Sequence, residues 1–351
     1  MTAPRPLLPD TDVLDPPARP RFGGGPSGAA LAVIVLSIAL SLTAPKFLSL
    51  DNFQVVAYSV ANLAVVAFAQ MVVLAAGGMD LSVGAVGGLT AVIVGGLMET
   101  MKVPPALAIL AGLLLGGLAG ALNGFLVVRT GLSAFIVTLA TASVFTGLNL
   151  GITSGRPFYY LPGSFKAIGG WTVAGVPALL LVMLAIGAAL WFVFSRVGLG
   201  RQILAVGANP RAAELAGVPV NRSRIVVHAL SGFLSAFAGI ILTARLGVAQ
   251  PTIGTDWLLS SFAAPIIGGT LLSGGYLSVP GVVAGALLLT LVANGLIQLN
   301  IDPYWTQLFS GLMILSAGGI DRLRSLNIRR LERAERFALA NATPAPRRTD
   351  T

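Results

Sequence analysis

The polar side chains set within otherwise apolar stretches of this chain are almost all neutral: Asn62, Gln70, Asn123, Thr138, Thr141, Ser143, Asn149, Asn294 and Gln298. Amides and hydroxyls of this kind suit hydrogen bonding to a neutral polyhydroxy solute, and equally serve as glue between helices. Asp80 is the exception, a carboxylate between two apolar segments with no basic neighbour in sequence. A carboxylate at membrane depth is costly and is a functional candidate by default. The run GGMDLS also reads as a helix start, in which Asp80 or Ser82 accepts hydrogen bonds from the first free N–H groups and complements the helix dipole. Both roles are compatible if the turn borders a pathway. Asp80, Ser82, Asn123, Thr138 and Asn294 are therefore the candidate path residues. His228, the single histidine, has no cysteine or carboxylate cluster near it and reads as a packed residue. No nucleophile–base set, metal site or cofactor-binding motif can be assembled, which argues against an enzyme, and a proton relay would need several more intramembrane ionisable groups.

These side chains must be positioned by apolar helices. Of 351 residues 55% are hydrophobic and only 10% charged, with a mean hydropathy of +0.87. A soluble domain of this length needs far more charge to cover its surface. Ten segments approach the roughly 20 apolar residues that a spanning helix needs: 28–44, 53–76, 81–98, 104–128, 132–150, 176–195, 225–244, 257–272, 278–299 and 303–320. The first and eighth are short, so tilt or a re-entrant path is open there. The expected fold is thus an all-α polytopic membrane protein, with a disordered tail over 1–27, a transmembrane domain over 28–320 and a basic tail over 321–351. The first tail carries acidic residues and no apolar core, unlike a cleavable signal peptide.

Charge fixes the orientation. With the N-terminus inside, the inner segments hold Arg5, Arg19, Arg21, Arg129, the arginines between Arg196 and Arg224 and those after Asp321, leaving Lys46, Lys102, Arg156, Lys166 and Arg245 outside. That asymmetry predicts both termini in the cytoplasm. It also accounts for the net charge of +9 without invoking nucleic acid. Residues 321–340 read either as a basic amphipathic helix on the lipid surface or as an ordinary positive-inside stop.

GGMDLSVGAVGGL, from Gly77, and SGGYLSVPGVVAGAL, from Ser273, echo each other. A two-fold internal repeat around a path is a common transporter plan, although short glycine-rich strings also match by chance. Gly112, Gly116, Gly120 and Gly124 fall four apart, marking one helix face for close packing. LLSGGY at 271–276 looks like an ATPase signature, but no phosphate-cradling Gly-x-x-x-x-Gly-Lys-[Ser/Thr] exists in the chain. Any ATP must be hydrolysed elsewhere.

The polar stretch from Arg196 to Arg224 carries Arg201, Arg211, Arg222 and Arg224 against Glu214 alone, a basic handle in water on the inner side. Together with GGMDLSVGAVGGLTA, the Asn-Gly segment from Ala119 to Leu148 and IIGGTLLSGGYLSVPGVVAGALL, it resembles the permease subunits of bacterial ABC importers of the ribose-type sugar family, from about Ala44 to Arg322. The resemblance implies an inner-membrane permease that moves a monosaccharide. It further implies a second permease subunit, alike or different, two ABC ATPase subunits carrying the ATP and Mg²⁺, and a periplasmic substrate-binding protein. No cofactor is expected on this chain. Arg201, Gly207, Asn209, Pro210, Arg211, Ala212, Ala213, Glu214 and Gly217 match the family's coupling loop, whose short helix around Pro210 to Ala216 is expected to seat in an ATPase cleft. Tyr276 with Pro280 departs from the pattern and puts the geometry of that turn in doubt. Two other readings stay open: a permease for branched-chain amino acids or nucleosides, and, in a different class, an independent ion-coupled carrier or channel.

Overall fold

The computed structural model describes residues 26–302 and, beyond them, residues 305, 308, 311, 312 and 315. The expected tenth span, 303–320, falls largely outside the described residues, as do both tails. Within them the chain is a bundle of helices: α1 (Pro26–Thr43), α2 (Leu50–Ala75), α3 (Val83–Glu99), α4 (Pro105–Thr130), α5 (Ala134–Thr153), α6 (Gly163–Gly170), α7 (Ala178–Arg196), α8 (Gly198–Ala208), α9 (Pro210–Leu215), α10 (Val220–Leu246), α11 (Trp257–Ile267) and α12 (Val279–Gln298). Local chemistry sets many of the ends. Ser49, Ser133 and Ser278 cap α2, α5 and α12 through side-chain oxygens that accept N–H bonds from Asn52, Ile136 and Gly281. Prolines start α4 and α12, and Gly131 and Gly247 stop α4 and α10 in the left-handed conformation.

Among the described residues six helices, α2, α4, α5, α7, α10 and α12, are long and apolar enough to cross a membrane. α2 is the hub, buried almost continuously from Ala64 to Ala75, with α10 and α12 packed beside it. α4 shows how the bundle is organised. Leu107, Leu110, Leu114, Leu118 and Leu122 are exposed along one face, while Gly112, Gly116, Gly120 and Gly124 press the other onto α10. A Cβ on Gly124 would fall 2.6 Å from the Cα of Ile225. Leucine outside and glycine inside is the pattern of association in lipid, where close backbone approach rather than expulsion of water holds helices together.

Two features depart from the expected order of spans. The eighth segment, 257–272, is helical only over the 11 residues of α11, too few to cross a bilayer. The chain before it, 247–256, is irregular and buries Ala249, Ile253 and Gly254 while Thr252, Thr255 and Asp256 stay exposed. Ala249 packs on Gly95 of α3, Ile253 on Gly88, and Gly254 on Gly84, where any side chain would collide with the facing carbonyl. From Gly95 to Gly84 a helix rises roughly 16 Å. This segment therefore descends beside α3, and with α11 it covers the depth of one span. The second departure lies between α5 and α7, where α6 and a two-stranded hairpin replace a plain loop. In the hairpin β1 (Thr172–Val173) pairs antiparallel with β2 (Val176–Pro177), Thr172 opposite Pro177.

Candidate functional site

A cavity of about 520 Å³ opens among α2, α7, α10, α11 and α12, towards the end of the bundle opposite α8 and α9. Tyr58 and Asn62 of α2 line one wall and Thr290 and Asn294 of α12 another. Arg245 comes from the last turn of α10, and Asp256, Trp257 and Ser260 from the start of α11. The guanidinium of Arg245 stacks 3.8 Å from the Tyr58 ring centre, a cation–π contact that holds a long side chain over the rim. Trp257 packs on Gly87 of α3, and Gly87 in turn lies against Gly239 of α10. Asp256 and Trp257 consequently sit roughly 10 Å further into the bundle than Arg245. The volume falls within the range of about 300–1,000 Å³ typical of small-molecule sites. Of the lining residues, Asn62 and Thr290 each carry one buried side-chain oxygen, Oδ1 and Oγ1, without a hydrogen-bond partner. Beside the cavity, Asn294 and Asn52 exchange amide bonds of 2.7 and 3.3 Å, and Gln298 Nε2 donates to Asn52 Oδ1 at 2.8 Å, tying the ends of α2 and α12.

Asp80, Ser82, Asn123 and Thr138 come together elsewhere. Asp80 Oδ1 accepts from the Ser82 N–H at 2.9 Å and the Ser82 hydroxyl at 2.6 Å, and Oδ2 accepts from the Ser231 hydroxyl of α10 at 2.8 Å. Asn123 Nδ2 of α4 donates to Ser82 Oγ at 2.7 Å. Thr138 Oγ1 of α5 accepts the Leu81 N–H at 3.0 Å. All four side chains are buried, and the knot joins the turn before α3 to three further helices. The carboxylate folds back on the Ser82 N–H, just ahead of the helix, while the Ser82 side chain makes no cap bond. Of the candidate path residues only Asn294 borders the cavity. His228 is buried, its Nδ1 2.8 Å from the Arg224 carbonyl, in keeping with a packed residue.

At the opposite end the polar stretch folds as two helices. α8 buries Gly200, Ile203, Val206 and Gly207 and exposes Arg201. α9 projects beyond it, capped by Asn209 Oδ1, which accepts the Ala212 N–H at 3.0 Å, with Pro210 in its first turn. It ends where Gly217, at φ +78°, lets the Gly217 and Val218 N–H groups reach the Glu214 and Ala213 carbonyls at 2.9 Å. Arg211 and Glu214 pair at 3.1 Å on the exposed face, with Ala212 exposed and Ala213 turned inward. Leu215 is 79% exposed, a large apolar side chain at the tip of a charged hook.

The two echoing segments are the turns ahead of α3 and α12, and they touch. Gly275 N–H donates to the Ala75 carbonyl at 3.0 Å. Gly274, at φ +84°, sits where a Cβ would be 2.7 Å from Gly77 N and 2.8 Å from the Gly207 carbonyl. Gly207 lies directly against the Ala75 carbonyl. Three backbones thus meet at distances only glycine permits, and α8 is wedged beneath both turns.

Sequence reasoning named Asn62 and Asn294 but not Tyr58, Asp256, Trp257 or Thr290, and treated Arg245 only as an outer charge. A signal existed. The apolar run after Asp256 is too short to span.

A bundle with apolar flanks, an open, mainly apolar cavity with a few polar groups at one end and a charged helical hook at the other fits a multi-pass membrane protein of the transporter class. The chain belongs to the family described as branched-chain amino acid transport system / permease component, whose model matches residues 52–318. It is similar to the ribose import permease protein of Haemophilus influenzae, at 37% identity over 82% of this chain and 90% of the relative. It is likewise similar to the ribose import permease protein of Bacillus subtilis, at 36% over 85% and 93%. The D-allose transport system permease protein of Escherichia coli matches at 34% over 84% and 90%. No solved structure matches the chain.

Proposed function

We propose that the chain is the permease subunit of an ATP-driven importer that passes a monosaccharide across a bacterial inner membrane. The relatives' names supply the solute class, since they import ribose and allose. The observation that carries the drive mechanism is the seat of Gly207 beneath both turns. A separate ATPase, with its own ATP and Mg²⁺, grips α9 through Arg211, Glu214 and Leu215. Movement of α9 reaches α8, and α8 cannot move without displacing the turns that position α3 and α12. In this reading the chain crosses the membrane about ten times, the segment 247–267 counting as one crossing, with both termini and the α8–α9 hook in the cytoplasm. The cavity then faces the periplasm, where a binding protein delivers solute, and a second permease subunit completes the path. Asp80, Ser82, Asn123 and Thr138 border that path from its inner side as a rigid brace.

A second reading has a specific observation in its favour. Arg245 and Asp256 both line the cavity, a pair that would also complement the two charges of an amino acid. Co-expression with the ATPase and binding protein of the same system, followed by purification in mild detergent, tests the drive mechanism. The assembly is expected to hydrolyse ATP faster when the solute-loaded binding protein is added. A chain that purifies without the ATPase, and moves solute without ATP, would be an independent carrier instead.

A further inference from the structure

We infer that the cleft between α9 and the start of α10 is a docking site for this chain's own acidic segment, residues 10–15, which competes there with the ATPase for the hook. The competition rests on the importer reading above; the docking does not. Arg211 and Glu214 of α9 and Asn221, Arg222 and Arg224 of α10 line this cleft, a space of about 710 Å³. Glu214 is the one acid along it and is already paired with Arg211. The guanidiniums of Arg222 and Arg224 have no bonding partner among the described residues. The first turn of α10 adds to them, because its leading N–H groups have no side-chain cap and a bare helix start carries positive partial charge. Charge of one sign gathered in a concave place calls for an anionic occupant.

The chain supplies one at the same end of the bundle. Between Arg5 and Arg19 its only charged residues are Asp10, Asp12 and Asp15. This stretch leads into α1, which packs along α12 with Leu40 against Gly295. Pro26 therefore lies roughly 21 Å back from that contact, level with the start of α12 and the seat of α8. From α1 to α10 is three steps between neighbouring helices, by way of α12 and α2, at most roughly 30 Å in all. Fully extended, the chain covers roughly 36 Å from Asp15 to Pro26 and roughly 53 Å from Asp10, so the carboxylates can reach the cleft. Val13 and Leu14 stand between them, apolar groups suited to Leu215, which is bare at the tip of α9. Tethering gives such a segment an effective concentration on the order of 1 mM. If its own dissociation constant is about 0.1 mM, roughly a tenth of the clefts stay free for the ATPase.

The chain has no cysteine, so pairs of thiols can be introduced without prior changes. In the purified full chain at low salt, Thr11→Cys with Asn221→Cys, an exposed position of the cleft, should form a disulfide within one chain under mild oxidation. Thr11→Cys with Ser164→Cys, on α6 at the far end of α10, should not. The first link should fade when Asp10, Asp12 and Asp15 are all changed to Asn, and at about 1 M salt, where charges are screened beyond about 3 Å. No link, or a link that forms equally fast without the three carboxylates, would overturn the docking. So would a link that forms in phosphatidylcholine nanodiscs and is lost in phosphatidylglycerol ones, which would give the cleft to lipid headgroups. Neutralising the three carboxylates should also tighten binding of the ATPase about tenfold. Equal affinity of parent and neutralised chain would overturn the competition. If neither chain binds an ATPase, the importer reading fails, while the disulfide still decides the docking.

Discussion

The N–H of Gly275 donates to the carbonyl of Ala75 at 3.0 Å, so the turn before α12 is bonded to the end of α2, where the turn before α3 begins. Gly207 of α8 closes against that same carbonyl. Three chain segments far apart in sequence therefore share one small contact, and a displacement of the α8–α9 hook reaches both turns together.

Gly207→Ala places a methyl group on the Ala75 carbonyl and 2.6 Å from the Gly275 nitrogen. Overpacking of this kind costs about 1–3 kcal/mol. Thermal unfolding in detergent should shift down, and ATP hydrolysis should lose its response to loaded binding protein. Gly198→Ala, with nothing within 4 Å, should leave both quantities unchanged.

Arg211→Glu and Glu214→Lys alter an exposed pair that contributes at most about 1 kcal/mol to stability. Unfolding temperatures should stay put while ATP-driven uptake falls severalfold. A charge-swapped Arg211→Glu/Glu214→Arg protein re-forms the pair within α9, yet uptake should remain low, because the partner reads the positions of the charges. Normal uptake by all three would remove α9 from the drive mechanism.

Asp80→Ala removes the acceptor for the Ser82 N–H, the Ser82 hydroxyl and the Ser231 hydroxyl at once. Each buried group left bare costs about 1–3 kcal/mol, so the variant should unfold well below the parent or fail to accumulate. Ser231→Ala breaks one bond and should be much milder. A thermal-shift series over the two variants and their combination checks this ordering.

Gly120→Leu drives a side chain into the His228 carbonyl of α10, whereas Gly117→Leu points away from every neighbour. The first should disrupt the α4–α10 contact and lower yield of folded protein in size-exclusion chromatography. The second should behave as the parent.

Much of this architecture was legible in the chain. The apolar segments that became α2, α4, α5, α7, α10 and α12 stood out because composition alone distinguishes a spanning helix, and the four-residue glycine spacing on α4 named its buried face. The handle between Arg196 and Arg224 was legible as an island of charge. Asp80, Ser82, Asn123 and Thr138 were named as candidate path residues, but sequence could not say that Asp80, Ser82 and Asn123 bond in series while Thr138 takes the Leu81 N–H, since these bonds join the turn before α3 to residues 41 and 57 positions further on. The cavity was hidden for a related reason. Its floor depends on chain segment 247–256 descending beside the glycines of α3, a tertiary accommodation that gives no periodic signal. Asp256 then reads as a loop residue although it lines the cavity.

The central claim is tested most directly by reconstituting the chain, its ATPase, any second permease subunit and the binding protein in vesicles, and following entry of labelled ribose or allose. Accumulation that requires both ATP inside the ATPase compartment and loaded binding protein on the opposite side is the predicted result. Sugar entry that proceeds equally without ATP, or accumulation of leucine in place of sugar, would contradict it.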